Sequence, residues 1–126
     1  MVDEQTGDKY ARAVGQKGIG ESQEWVIRDL SRELNSWGHT GGADSRLVLK
    51  SDGEKSIVAF RDAVARFHGG LVVPEVSARG ESESNGAAEN AIRTVRDFVR
   101  IFKEQLETET GEEIHSQSCI VQWMIR

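Results

Sequence analysis

The sequence predicts an α/β fold, and three observations predict it. Short apolar runs at Leu47-Val48-Leu49 and Leu71-Val72-Val73 have the length of strands. They alternate with longer stretches whose apolar residues recur every three or four positions, the period of a helix packed on one face. The run from Ala88 to Leu106 holds a single apolar seam for about five turns, too long for anything but a helix. No stretch repeats another, so solenoid and propeller architectures are excluded.

At the start, Gln5-Thr6-Gly7-Asp8-Lys9 carries the Gly and Asp of a tight turn. Tyr10-Ala11-Arg12-Ala13-Val14 is then expected as the second arm of a hairpin whose first arm is mostly absent. The glycines of Gly15-Gln16-Lys17-Gly18-Ile19-Gly20 match neither a dinucleotide-binding nor a P-loop spacing and are expected in a plain loop. A helix is expected from Glu21, with Ser22 as its N-cap, Trp25, Leu30, Leu34 and Trp37 on its apolar side, and Gly38 as its stop. His39 to Ala43 form a linker. Leu47-Val48-Leu49 is expected as a buried parallel strand that delivers Asp52 to the carboxyl edge of a sheet.

Ile57, Phe60, Val64 and Phe67 predict a second helix, closed by His68-Gly69-Gly70. Leu71-Val72-Val73-Pro74 predicts a further strand, which Pro74 confines to an edge or an end. Ser77 to Gly86 has no apolar anchor after Ala78 and is expected to be mobile, with Ser77 to Asn85 disordered in the free protein. Ala88, Ile92, Val95, Val99, Phe102 and Leu106 then form the seam of the long helix, which Gly111 ends. Ile114, Ile120, Val121, Trp123 and Ile125 are expected to begin another helix that the chain truncates.

Composition narrows the functional classes. With 126 residues the chain is one domain's worth of sequence, and 37% hydrophobic against 29% charged residues is the balance of an ordinary globular protein. A formal net charge of −5 excludes a free-standing basic nucleic-acid binder, so any such contact must be local. No apolar run has the length of a bilayer span, and Met1-Val2-Asp3-Glu4-Gln5 lacks the opening of a secretory signal, so an intracellular protein without membrane contact is expected. Cys119 has no second cysteine to pair with, and His39, His68 and His115 are too scattered to complete a zinc site around it.

Asp52 ends a strand and Glu89 lies early in the long helix, 89 − 52 = 37 positions later. Two carboxylates brought together can bridge hard divalent cations, which take oxygen ligands and assist phosphoryl transfer. Either residue alone is more readily read as a solvated acid or a favourable charge near a helix N-terminus.

The local strings add to this. Lys50-Ser51-Asp52-Gly53-Glu54 resembles the second-carboxylate motif of retroelement integrases, and Glu83-Ser84-Asn85-Gly86-Ala87-Ala88-Glu89-Asn90 resembles their Ser-Asn-Gly loop running into the glutamate helix. Val2-Asp3-Glu4 followed by Tyr10 to Val14 is similar to the family's hairpin, so the resemblance covers nearly all of residues 1–126. It implies a partial integrase catalytic core domain: an RNase H-like α/β fragment, with a mixed sheet flanked by helices and its first strand missing. It also implies an Asp, Asp, Glu triad holding a pair of Mg²⁺ or Mn²⁺ ions for DNA integration, with Asp52 and Glu89 as the second and third catalytic, metal-binding members. Asp3 matches the hairpin position and receives no metal role.

On the long helix, Glu89, Arg93, Arg96, Arg100 and Lys103 are offset by 4, 7, 11 and 14 residues and fall within an arc of about 80° beside the seam. Two readings fit: a track for DNA phosphates, extended by Lys50 and Lys55, or a solvated flank in which Glu89 and Arg93 form an ordinary i,i+4 pair. The expected function is therefore that of an integrase-core-derived, DNA-binding domain of a retrotransposon polyprotein, nuclear if functional, capable of self-association and without strand-transfer activity as this fragment. The alternative is a decayed or domesticated interaction module of the same transposable-element origin.

Overall fold

The computed structural model describes residues 1–14, 24–77 and 82–125. Among them are four helices and a two-stranded parallel sheet, in the order α1 (Glu24–Ser36), β1 (Arg46–Ser51), α2 (Lys55–His68), β2 (Leu71–Val76), α3 (Ser82–Thr110) and α4 (Cys119–Met124). The α/β class is therefore the observed one; the sheet is parallel, where a mixed sheet was expected. The loop expected over Gly15 to Gly20 and the cap expected at Ser22 lie outside the described residues. The chain divides into two compact units, Val14–Asn85 and Met1–Ala13 with Gly86–Arg126.

In the first unit, α1 packs on α2, and α2 packs on both strands. Parallel strands cannot be joined by a tight turn, and α2 is the crossover that returns the chain to the same end of the sheet. The register runs from Arg46 opposite Leu71 to Ser51 opposite Val76. Leu71 and Ser77 donate their N–H groups to the Ser45 and Ser51 carbonyls. Donors toward β1 are thus the odd-numbered residues of β2, so Pro74 has its nitrogen on the outer side and costs the ladder no hydrogen bond. That explains why the strand continues through Pro74 to Val76 rather than ending there.

Leu34 and Val64, each 1% exposed, are the two most deeply buried side chains, one from each helix. The buried side of α1 is Val26, Ile27, Leu30, Ser31 and Leu34. Trp25, expected on that side, is 48% exposed, because it falls outside the arc that Leu30 and Leu34 define. The helix ends in a Schellman motif: His39 N–H donates to Leu34 O at 2.9 Å and Gly38 N–H to Asn35 O at 3.1 Å, with Gly38 at φ +95°. Gly41 and Gly70 meet at a second close approach, where a Cβ on Gly41 would strike the His68 carbonyl and one on Gly70 would lie 2.9 Å from the Gly41 carbonyl. The buried strand expected at Leu47 to Leu49 is only half right. Leu47 is buried on the face that α2 covers, whereas Val48 on the opposite face is exposed.

In the second unit a hairpin is present, but with its first arm at Met1 to Asp3, bridged through Val2 to Lys9, and its second at Asp8 to Tyr10 rather than at Tyr10 to Val14. Asp3 is buried because it organises the turn, its Oδ1 accepting the N–H groups of Gln5 at 2.7 Å and Thr6 at 3.4 Å. The Arg12 guanidinium lies 4.7 Å from the centre of the Tyr10 ring.

Helix α3 starts earlier than expected. Ser82 to Gly86 are its first residues, not a loop; Ser77 is buried, and 78–81 lie outside the described residues. One glycine costs a helix interior about 1 kcal/mol, which a 29-residue helix offsets. Helix α4 starts later than expected, at Cys119, where the Ser118 hydroxyl accepts the Ile120 N–H. Ile114 sits in the irregular segment before it, buried.

Candidate metal and nucleic-acid site

Asp52 is the first residue after β1 and stands exposed at the carboxyl edge of the parallel pair. Its Oδ1 accepts the Glu54 N–H at 2.6 Å. That bond fixes the turn into α2, whose N-cap is Glu54 with no side-chain cap of its own; the Glu54 carbonyl receives the first helical N–H groups, from Ile57 and Val58. Asp52 is therefore an exposed carboxylate with one oxygen bonded to a backbone N–H and the other without a hydrogen bond to a described residue.

Lys50 lies across the ladder from Glu75 and pairs with it at 3.7 Å. Lys55 is exposed at the first turn of α2.

Sequence reasoning overlooked Arg61. Its guanidinium, 9% exposed, bonds Asp62 Oδ1 through Nε at 3.0 Å and Nη2 at 2.8 Å, and reaches Ser51 Oγ at 3.3 Å and Glu75 O at 3.0 Å through Nη1. It thereby ties α2 to the carboxyl ends of both strands, beside the point where Asp52 leaves β1. The signal was available: an arginine four residues after Ile57 and three before Val64 interrupts the apolar stripe of α2, and a charge on a buried face must be bonded.

A second polar contact joins α1 to the C-terminal end of α2. Ser31 Oγ lies 2.9 Å from His68 Nδ1, and His68 Nε2 is buried with no hydrogen-bond partner among the described residues.

Glu89 belongs to the other unit, exposed on α3. The i,i+4 pair foreseen for it is not formed, because Arg93 donates instead to Asn90 Oδ1 at 2.7 Å. Lys103 pairs with Glu107 at 3.0 Å, and Glu107 Oε1 also accepts the Ile114 N–H at 2.7 Å. The Ile114 amide first, and Lys103 second, hold the Glu107 carboxyl below the usual carboxylate range. Arg96 and Arg100 are exposed and form no ion pair with a described residue. Two of the four stripe cations thus have local partners, and two are available to a ligand.

Among the described residues no group of three or more His, Cys, Asp or Glu side chains is arranged to hold a metal ion. No described helix is long and apolar enough to cross a membrane. No family model, curated protein or solved structure matches the chain.

Proposed function

We propose that this chain is a nucleic-acid-binding domain derived from the RNase H-like integrase core of a retrotransposon polyprotein. The observation that carries the reading is the position of Asp52: an exposed carboxylate directly after a parallel strand, inside a β-α-β unit, where open α/β sheets gather their ligand-binding groups. The resemblance of Lys50 to Glu54 and of Glu83 to Asn90 to the family's motifs gives that position its meaning.

In this reading Asp52 and Glu89 are the catalytic, metal-binding carboxylates. Their oxygens suit Mg²⁺ or Mn²⁺, and Asp52 Oδ2 accepts no hydrogen bond from a described residue. When bound, such a cation supplies charge stabilisation for phosphoryl transfer. Glu54 N–H and the Arg61 anchor orient Asp52, while Arg93, Arg96, Arg100 and Lys103 on α3, with Lys50 and Lys55 on the first unit, receive DNA phosphates. Asp52 and Glu89 match the second and third of the family's three carboxylates. In a cell the proposed location is the nucleus, with DNA as partner.

The commitment of Asp52 Oδ1 to the Glu54 amide favours a second reading, in which the domain persists as an interaction module without catalysis. Mn²⁺ titration of the wild type, Asp52→Asn and Glu89→Gln, followed by calorimetry, separates the two. Weakened binding in both variants supports the metal-site reading; unchanged binding in both removes it.

A further inference from the structure

We infer that a second copy of this chain docks antiparallel along the apolar seam of α3. The seam residues follow steps of 4, 3, 4, 3 and 4, the spacing of a two-stranded coiled coil: Ile92, Val99 and Leu106 occupy one core position of the heptad, Ala88, Val95 and Phe102 the other. The unit's own core covers these side chains only in part. Ile92 is 59% exposed and Phe102 49%, Ala88 and the adjoining Phe98 are also exposed, Val95, Val99 and Leu106 are half-buried, and among the described residues of α3 Ala91 alone is a buried apolar residue. A helix face this apolar, only partly covered along about 28 Å, marks an association surface.

The composition of the seam selects the partner and its direction. In an antiparallel pair each layer sets one core position against the other. Ala88 then meets the partner's Leu106, Ile92 meets the partner's Phe102, and Val95 meets the partner's Val99, so that the smallest residue faces a large one and volume is even along the seam. A parallel pair would instead stack Ala88 on its own copy and Phe102 on its own copy, leaving a gap at one end and crowding at the other.

The flanks agree. On one side, antiparallel pairing brings Glu89 opposite the partner's Lys103 at both ends, a complementary pair. On the other, Phe98 meets the partner's Phe98 at the dyad, where aromatic rings stack favourably. One contact opposes the arrangement: Arg96 faces the partner's Arg96 across the dyad. The same geometry lays both copies' basic stripes on one side of the pair, a single cationic surface in place of two.

This pairing stands on the seam and does not depend on the proposed function, and Arg96 separates the two. Arg96→Gln removes a like-charge contact, so it should tighten self-association severalfold while weakening any DNA binding; Val99→Glu should weaken self-association at least tenfold. The experiment is sedimentation velocity of the full chain over a wide concentration range, combined with a short bismaleimide linker on Cys119→Ser variants. Phe98→Cys should link to itself. Ala88→Cys, at an exposed seam position, should link to Leu106→Cys in a mixture but not to itself, since antiparallel copies hold the two Ala88 positions about 27 Å apart. A chain monomeric at every concentration overturns the inference, and so does Ala88→Cys linking to itself, which reports parallel pairing. Linking of the near-native cysteine variants decides the matter even if Val99→Glu fails to fold.

Discussion

The unit Val14–Asn85 and the unit built on α3 use the same amphipathic pattern to different ends. In the first, the stripes of α1 and α2 meet, and Leu34 and Val64 are closed off from solvent. In the second, a longer and more regular stripe remains open at Ile92 and Phe102. Periodicity therefore specifies that a helix exists and which face is apolar, while burial depends on a partner element that the local pattern does not name. The first unit has its partners within about 50 residues of chain; the second carries a surface suited to something else.

The largest expected effect of a single change falls in the first unit. Leu34→Ala should cost about 2–5 kcal/mol, because it empties a site with no solvent access between α1 and α2. Val99→Ala, the corresponding truncation on α3, should cost the isolated chain about 1 kcal/mol or less, since Val99 is only half-buried. Urea denaturation of both variants measures the contrast. Equal losses would mean that α3 has a buried face after all.

The next effect is at Arg61. Replacing it with Met keeps the length of the side chain but strips the Ser51 and Glu75 acceptors of their donor, at a cost of about 1–3 kcal/mol. The loss should appear as a lowered thermal midpoint and as faster amide exchange at the carboxyl ends of β1 and β2. Exchange unchanged at Ser51 and Ser77 would show that Arg61 is a passenger rather than an anchor.

Much of this organisation was legible in the sequence, and for identifiable reasons. The βαβ order, the position of Asp52 and the end of α3 follow from spacing and from Gly38, Gly69 and Gly111 acting as stops. Trp25 misled because size was taken for burial, while Val26 and Ile27 one and two positions on complete the stripe. Ser82 to Gly86 misled because Ser, Asn and Gly are turn residues by composition, yet a long helix downstream can extend through them. Arg61 escaped notice because hydrogen bonds to backbone carbonyls leave no trace in a pattern of apolar residues. The relation of Asp52 to Glu89 rests on motif resemblance alone, since spacing cannot bring distant carboxylates together.

A smaller effect is expected with pH. The Glu107 carboxyl is held below its ordinary value by Ile114 N–H and Lys103, so its contribution to folding is present above the unfolded-state value and is lost as pH falls through the folded one. Acidification should therefore loosen the segment from Gly111 to Ser118 before it affects α1 and α2. Amide exchange of Ile114 followed from neutral to acid pH checks this, and Glu107→Gln should abolish the dependence. An Ile114 amide whose protection does not change with pH in the wild type would contradict it.

The direct test of the DNA-binding reading is the salt dependence of affinity for a short DNA duplex. Arg96 and Arg100 have no local ion-pair partners among the described residues, so they are the stripe positions from which phosphate contacts are removed most cleanly. Glu107 cannot serve as a neutral control, because it binds Lys103; Glu112, exposed beyond α3, can. The wild type should bind without sequence preference and lose affinity steeply with salt, and the double variant Arg96→Ala, Arg100→Ala should reduce the slope of log affinity against log salt by about 2. Glu112→Gln should leave the slope unchanged. Absence of salt-dependent binding by the wild type at low ionic strength, or a slope that survives the double substitution, would contradict the reading and leave α3 with a solvated flank.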